Sequence, residues 1–149
     1  MNDVREWRTN LVDDDGGLAR ILREAKTIAV LGAKAIPGEP ACYVPAYLAA
    51  RGYRILPVNP TIAGQAAFGA TVVSTLADLG EAPDVVEIFR RPEYLPGHAA
   101  EILALPRPPA VVWFQLGIRQ AVAAERLARA GIRVVQDRCM MPEHRRLIG

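Results

Sequence analysis

The sequence predicts an α/β protein with a doubly wound, parallel five-stranded sheet and helices on both faces. Five short runs of β-type residues recur along the chain, and most are almost continuously apolar, which is typical of strands covered on both sides. Helix-like segments separate these runs, and the alternation predicts βαβ units with right-handed crossovers. The predicted strands are TIAVLG (27–32), YRILPV (53–58), DVVEIF (84–89), AVVWFQ (110–115) and IRVVQD (132–137).

The helices follow from periodicity and stop signals. Within residues 1–26, the stretch GLARILREAK has its apolar residues on one side of a helix, which predicts a leading helix packed on the sheet. YLAARG closes a second helix at Gly52, EYLPGHAAEILAL carries a third, and IRQAVAAERLARAG ends at Gly131. Residues 59–82 mix a glycine-punctuated loop with a short helix that Ser74 would cap.

Length and composition predict one soluble domain over residues 1–149. Apolar residues make up 51% of the chain and charged residues 23%, as in ordinary globular proteins. The longest apolar run is far shorter than the roughly 20 residues of a membrane span, and the amino terminus resembles no secretory signal. A net charge of +2 does not indicate a nucleic-acid partner. Two cysteines make no disulfide framework, so we expect free thiols and a cytoplasmic location.

Ligands of open parallel sheets bind beyond the carboxyl ends of the strands, where the strand order reverses. The turn after the first strand lies at this edge of the sheet. It differs from a dinucleotide fingerprint, which has glycine at its first, third and sixth places. This chain has Gly32, Lys34 and Pro37 at those places. The second strand ends at Asn59, where an NAD site would have an acidic residue for the ribose. The sequence therefore argues against a nucleotide-dependent oxidoreductase.

The same turn is suited to a phosphate. Gly32 lets the chain leave the strand tightly, and Pro45 is tolerated only near the first turn of a helix, so the next helix should begin within about residues 41–45. Its positive end would face the crevice, where Lys34 would add a charge. The alternative for this turn is a structural role with a solvated lysine. Asn59, between two prolines, has the same alternative as a turn residue.

Two arginines follow the third strand in FRRP. Arg90 and Arg91 could each bind phosphate oxygens with a guanidinium fork. Because adjacent residues of an extended chain point to opposite sides, we expect at most one of them to face a ligand. An ion pair with Glu87 or Glu93 is the alternative for either arginine.

The segment DRCMMPEH follows the fifth strand. Cys139 with His144 could form a nucleophile and its base, and Glu143 adds a carboxylate. A buried or redox-labile thiol is the competing interpretation. The spacing of histidines and cysteines does not predict a metal site.

These motifs together resemble the small stand-alone CoA-binding domain proteins of bacteria, which are related in fold to the CoA-binding domain of the succinyl-CoA ligase α subunit. The resemblance covers residues 27–144 and rests on IAVLG, a proline-containing turn, YLAARGYRILPVNP, DVVEIFRRPE, VVWFQLGI and DRCMMPEH. It implies a Rossmann-like domain that binds coenzyme A non-covalently along the carboxyl edge of the sheet. The binding residues it implies are Gly32, Ala33, Lys34, Pro40, Tyr43, Pro57, Val58, Asn59, Phe89, Arg90, Gln115, Gly117 and Cys139.

The expected function is therefore binding of coenzyme A or an acyl-CoA without a catalytic set of its own. An acyl-CoA-handling enzyme that uses Cys139 and His144 is the alternative, and a protein partner or a homo-oligomer is compatible with either. Members of the family usually have serine where this chain has Lys34 and Ala41, and a helix former where it has Pro45. These departures shift phosphate binding toward the lysine and the helix dipole.

Overall fold

The computed structural model describes residues 6–149 and confirms the predicted fold class. The strands are β1 (Thr27–Leu31), β2 (Arg54–Val58), β3 (Ala66–Ala67), β4 (Ala70–Thr71), β5 (Val85–Ile88), β6 (Val111–Phe114) and β7 (Arg133–Val135). The helices are α1 (Asp15–Glu24), α2 (Pro40–Ala50), α3 (Leu95–Leu103), α4 (Ala121–Arg129) and α5 (Met140–Leu147). None of the helices in residues 6–149 is long and apolar enough to cross a membrane.

The main sheet is parallel throughout and has the strand order β2-β1-β5-β6-β7. The chain moves outward from β1 to β2 and then returns to β5 on the other side of β1. Beyond β2, Val73 makes a single parallel bridge with Val58. When this bridge is counted as a reduced third strand, the order is the 3-2-1-4-5-6 of a Rossmann fold. The strand order therefore reverses between β1 and β5.

Each face of the sheet is covered by its own helices. Successive residues of a strand point to opposite faces, so Ala29 and Leu31 of β1 pack in a core with α3 and α4. Ile28 and Val30 pack in a second core with α1, α2 and α5. This arrangement confirms the doubly wound architecture and brings the amino-terminal ends of α2 and α5 to the carboxyl edge of the sheet.

The leading segment begins, among the described residues, with a 3-10 helix (Glu6–Asn10) that is followed by α1. Residues 1–5 of the predicted leading segment lie outside the described residues. The Asp14 carboxylate accepts a hydrogen bond from the Gly17 amide at 3.1 Å and caps α1. The apolar side of α1 is buried, as its periodicity predicts.

Residues 59–82 contain a 3-10 helix (Pro60–Ile62), a small hairpin of β3 and β4, and a second 3-10 helix, Leu76–Asp78. Thr75 caps this helix, so the prediction for Ser74 was wrong. The Asp78 carboxylate accepts from the Thr75 amide at 3.1 Å and from its hydroxyl at 2.9 Å. Only Thr75 has an acidic residue three positions later to complete this reciprocal cap.

Glu87 is a fully buried carboxyl group in the middle of β5. It lies between Val30 of β1 and Trp113 of β6 in the register of the sheet. Among residues 6–149, neither of its carboxyl oxygens has a hydrogen-bond partner, so the alternative of an ion pair between Glu87 and Arg90 or Arg91 does not hold. Burial raises the pKa of Glu87 from its ordinary value of 4.5 to about 8. The side chain is therefore protonated in the folded protein at neutral pH.

This burial predicts a specific pH dependence of stability. Between pH 4.5 and about pH 8 the folded protein keeps a proton that the unfolded chain has released. The free energy of unfolding should therefore fall as the pH rises through this window, by up to about 1.4 kcal/mol per pH unit. Glu87→Gln should remove this dependence. Urea unfolding of both proteins at several pH values from 5 to 8 measures the difference.

Glu125→Gln is the matched control, because Glu125 is a solvent-accessible carboxylate on α4 paired with Arg129. The control should keep the slope of the parent protein. If Glu87→Gln and the parent lose stability in parallel as the pH rises, the assignment of Glu87 is wrong.

Candidate functional site

A cavity of about 470 Å³ opens at the carboxyl ends of β1, β5 and β6. It includes the edge of the sheet between β1 and β5, where the strand order reverses, which is the expected ligand position of an open parallel sheet. Its walls include the first turn of α2 and the residue before α5. The lining residues are Lys34, Glu39, Pro40, Ala41, Tyr43, Phe89, Arg90, Arg91, Pro92, Gln115, Leu116, Ile118 and Cys139.

Gly32 shapes the turn beside the cavity. Its φ of +84° is strained for residues with a side chain. A Cβ atom at this position would lie 2.5 Å from the carbonyl oxygen of Phe89. The Gly32 amide donates to the carbonyl of Val58 at 2.9 Å. Gly32 thus joins the ends of β1, β2 and β5 at the point where the strand order reverses.

Asn59 holds the same turn from the side of β2. Its Nδ2 donates to the carbonyl oxygen of Ala33 at 2.8 Å, and its Oδ1 accepts from the Thr61 amide at 2.9 Å and hydroxyl at 2.8 Å. The side chain thus makes the structural contacts of a turn residue, and Asn59 does not line the cavity. Pro57 and Val58 lie within β2 and do not line it either.

The backbone of Lys34 is bonded to α2, which contains an interior proline. The helix begins at Pro40, and Pro45 lies in its interior, so the expectation that Pro45 stands in the first turn was wrong. Proline has no amide hydrogen for the carbonyl of Ala41, four residues earlier. The Lys34 amide donates to that carbonyl at 3.2 Å instead. The helix therefore tolerates Pro45 because the turn after β1 supplies the missing donor.

Three cations and one carboxylate line one side of the cavity. Lys34 Nζ lies 3.7 Å from the Glu39 carboxylate. The Arg90 guanidinium stacks over the Tyr94 ring at 4.5 Å, and its buried Nε has no hydrogen-bond acceptor among residues 6–149. Arg91 is the third cation.

Both arginines line the cavity, whereas the sequence predicts that at most one of them faces a ligand. β5 ends at Ile88, and a 3-10 helix begins at Pro92. Arg90 and Arg91 therefore lie in a loop, where the alternation of an extended strand does not apply. The alternative pairing of Arg91 with Glu93 is present at 3.9 Å between strongly exposed groups, which makes it weak.

The opposite side of the cavity follows β6 and β7. Gln115 is buried, and its Oε1 accepts from the Met140 amide at 3.1 Å, which holds the start of α5 against the end of β6. Leu116, Ile118 and Cys139 complete this side. Gly117 lies outside the lining, and its amide donates to the Asp137 carboxylate at 2.6 Å.

The strand order makes the charge of the cavity asymmetric. Neighbouring strands are about 4.8 Å apart, so the edge from β1 through β5 and β6 to β7 spans about 14 Å. All charged lining residues follow β1 or β5. Among the described residues, those that line the cavity after β6 and β7 carry one amide, two aliphatic side chains and one thiol. A ligand with an anionic end and an apolar end fits this division.

The proposed nucleophile and base are not paired. His144 Nδ1 lies 2.9 Å from the Tyr47 hydroxyl, and the rings of Tyr47 and Tyr53 pack edge-on against the imidazole. Burial, assisted by the charge of Arg51, lowers the pKa of His144. Within residues 6–149 no hydrogen bond joins His144 to Cys139. Nor do three or more His, Cys, Asp or Glu side chains of this region form a group that could hold a metal ion.

The cavity therefore includes some of the residues predicted from the sequence and omits others. Those that line it are Lys34, Pro40, Tyr43, Phe89, Arg90, Gln115 and Cys139. Those outside the lining are Gly32, Ala33, Pro57, Val58, Asn59 and Gly117. The set of binding residues omitted Glu39, Ala41, Arg91, Pro92, Leu116 and Ile118. All six follow a strand closely in the sequence, and this position is the signal that could have found them.

Known proteins similar to this chain show its family. A family model described as a CoA binding domain matches residues 26–145. The chain belongs to this CoA-binding family. Membership supports a CoA-related binding role. An uncharacterised protein of Bacillus subtilis strain 168, YneT, is 37% identical over 127 residues, which are 85% of this chain and 91% of the relative.

Solved structures similar to this family member have the same fold. A Thermus thermophilus protein is 49% identical, with a TM-score of 0.86 over 91% of this chain and 100% of its own. A hypothetical protein from Pyrococcus horikoshii OT3 is 30% identical, with a TM-score of 0.85 over the whole of both chains. The Rossmann-like architecture is therefore shared across these relatives.

The turn after β1 generates a stability prediction. Gly32→Ala should lower the free energy of unfolding by about 2 kcal/mol or more, because the new Cβ would be strained in φ and would meet the Phe89 carbonyl. Gly38→Ala is the control in the same loop, since no atom beyond its chain neighbours lies within 4 Å of its Cβ position. It should change stability by less than about 0.5 kcal/mol. Urea unfolding measures both, and equal effects would contradict the role of Gly32.

Proposed function

We propose that the protein binds coenzyme A or an acyl-CoA non-covalently in the cavity at the carboxyl edge of the sheet. The observation that carries this proposal is the division of the cavity into a cationic side over β1 and β5 and an uncharged side over β6 and β7. Coenzyme A has the same division, because its phosphates lie at one end and its thiol-bearing arm at the other. Family membership independently supports a CoA-related ligand.

The cationic side offers several groups to the phosphates. Arg90 and Arg91 have planar guanidinium forks that match phosphate oxygens, and Lys34 adds a compact charge. α2 directs the positive end of its dipole toward the same side. Glu39 is the opposing group, because its carboxylate pairs with Lys34 where a phosphate would compete for the lysine. On binding, a phosphate would replace the Glu39 carboxylate as the partner of Lys34.

The alternative of a dinucleotide ligand is less well supported. An NAD site would need an acidic residue at the end of β2 for the ribose hydroxyls, and Asn59 stands there with its amide group bonded to Ala33 and Thr61. A carboxylate at that position would repel the 3′-phosphate of coenzyme A. The uncharged amide of Asn59 at this position does not repel a phosphorylated ribose.

We further propose that residues 1–149 act as one binding domain without a catalytic set. The arrangement of Cys139 and His144 supports this, since the imidazole is bonded to Tyr47 on the α2 side of α5. Any reaction of a bound acyl group would then require a partner protein. We propose a cytoplasmic location for the protein, because both cysteines are free thiols, which suits a reducing compartment. A small molecule rather than a nucleic acid is the expected ligand.

Calorimetric titration tests this proposal. We expect saturable binding of coenzyme A, at least tenfold tighter than that of dephospho-CoA or NAD in the same buffer, a difference of about 1.4 kcal/mol. The physical reason is that only coenzyme A presents both a pyrophosphate and a 3′-phosphate to the cationic side. Absence of saturable binding at millimolar coenzyme A would overturn the proposal.

Three variants locate the binding site in the same titration. Arg90→Gln should weaken binding of coenzyme A by roughly tenfold, because a charge-assisted hydrogen bond is lost. Glu39→Gln should strengthen it, because Lys34 loses its competing partner. Arg126→Gln, an exposed residue of α4 outside the cavity lining, is the control and should leave the affinity unchanged. Equal effects of Arg90→Gln and Arg126→Gln would contradict this site.

A further inference from the structure

The uncharged side of the cavity carries more apolar surface than a thiol requires. Leu116 is 68% exposed although it lines the cavity. Ile118 and Cys139 also belong to this lining. The side-chain oxygen of the neighbouring Gln115 already accepts a hydrogen bond from the Met140 amide. An apolar group that covered Leu116 would remove this exposed surface from water and would be stabilised by the hydrophobic effect.

The cations near this side are already paired. Arg119 Nε lies 3.4 Å from the Asp137 carboxylate. Arg138 pairs with Asp13 at 2.9 Å and with Glu143 at 3.3 Å. Neither arginine lines the cavity. An anionic group bound beside Leu116 would therefore have to compete with these carboxylates for a cation.

Asp137 adds an anion to the same region. The hydrogen bond from the Gly117 amide lowers the pKa of Asp137, so this carboxylate is charged at neutral pH. Gly117 directly follows Leu116 in the chain. A second carboxylate near Leu116 would meet a like charge and lose part of its hydration without gaining an unpaired cation.

We propose that the site selects acyl-CoA molecules with an uncharged aliphatic acyl group, which lies against Leu116 and Ile118, over those with a carboxylate-bearing acyl group. This inference rests on the proposed function, because it requires the phosphates to occupy the side of Lys34 and Arg90. The strand order then directs the acyl end toward β6 and β7. Leu116 is a specificity-determining residue in this arrangement.

Titration with butyryl-CoA, succinyl-CoA and coenzyme A tests the inference. The two acyl groups have the same number of carbons and differ in a terminal methyl or carboxylate. We expect butyryl-CoA to bind roughly fivefold or more tightly than coenzyme A, because its methylene groups cover Leu116. Succinyl-CoA should bind at least about tenfold more weakly than butyryl-CoA, because its carboxylate is desolvated without a free cation.

Leu116→Lys tests whether this residue sets the preference. The substitution places a cation beside the acyl group and should shift the ratio of the two affinities toward succinyl-CoA by roughly threefold or more. Val122→Lys is the matched control, since Val122 is 66% exposed, carries the same change of charge and lies outside the cavity lining. It should leave the ratio unchanged.

The outcomes separate this inference from the proposed function. If all three ligands bind with equal affinity, or if Val122→Lys and Leu116→Lys change the ratio equally, the acyl preference is wrong while coenzyme A binding stands. If succinyl-CoA binds more tightly than butyryl-CoA, the preference is reversed and the inference is overturned. If coenzyme A itself does not bind, both proposals fail.

Discussion

The site depends on the close approach of Gly32 to the carbonyl oxygen of Phe89. A Cβ atom at Gly32 would lie 2.5 Å from that oxygen, and the positive φ of the residue is an independent reason for glycine. This contact lets the ends of β1 and β5 come together at the point where the strand order reverses, while the Gly32 amide bonds to Val58 of β2. The cationic side of the cavity is built on the loops that leave these two strands.

Hydrogen bonds to α2 and to the exit of β2 hold the loop after β1 in place. Pro45 leaves the Ala41 carbonyl without its helical donor, and the Lys34 amide satisfies it from outside the helix. The Asn59 side chain donates a hydrogen bond to the carbonyl of Ala33, the residue before Lys34. The backbone of the turn is thus bonded to α2 and to the exit of β2, which leaves the Lys34 side chain as its charged contribution to the cavity. The backbone amide of residue 34 and Pro45 are therefore linked through the Ala41 carbonyl.

The fold could be predicted from the sequence because continuous apolar runs report burial on both faces and helices separate them at regular intervals. The general position of the cavity followed from the same strands. The details depended on contacts between distant residues. Asn59 was compatible with a ligand or a structural role until its distance to Ala33 was known. The alternation of an extended strand, which the sequence suggested for Arg91, does not apply because β5 ends before it. An ion pair of Glu87 stayed open as an alternative because sequence proximity to arginines does not reveal burial in the centre of a strand.

We propose that the charge division of the cavity orients coenzyme A across the carboxyl edge of the sheet. A crystal structure of the protein with coenzyme A would show this orientation. We expect phosphate oxygens within hydrogen-bonding distance of Arg90 or Lys34 and the thiol-bearing end beside Leu116 and Cys139. Coenzyme A bound outside this cavity, or bound with its phosphates over β6 and β7, would rule this orientation out.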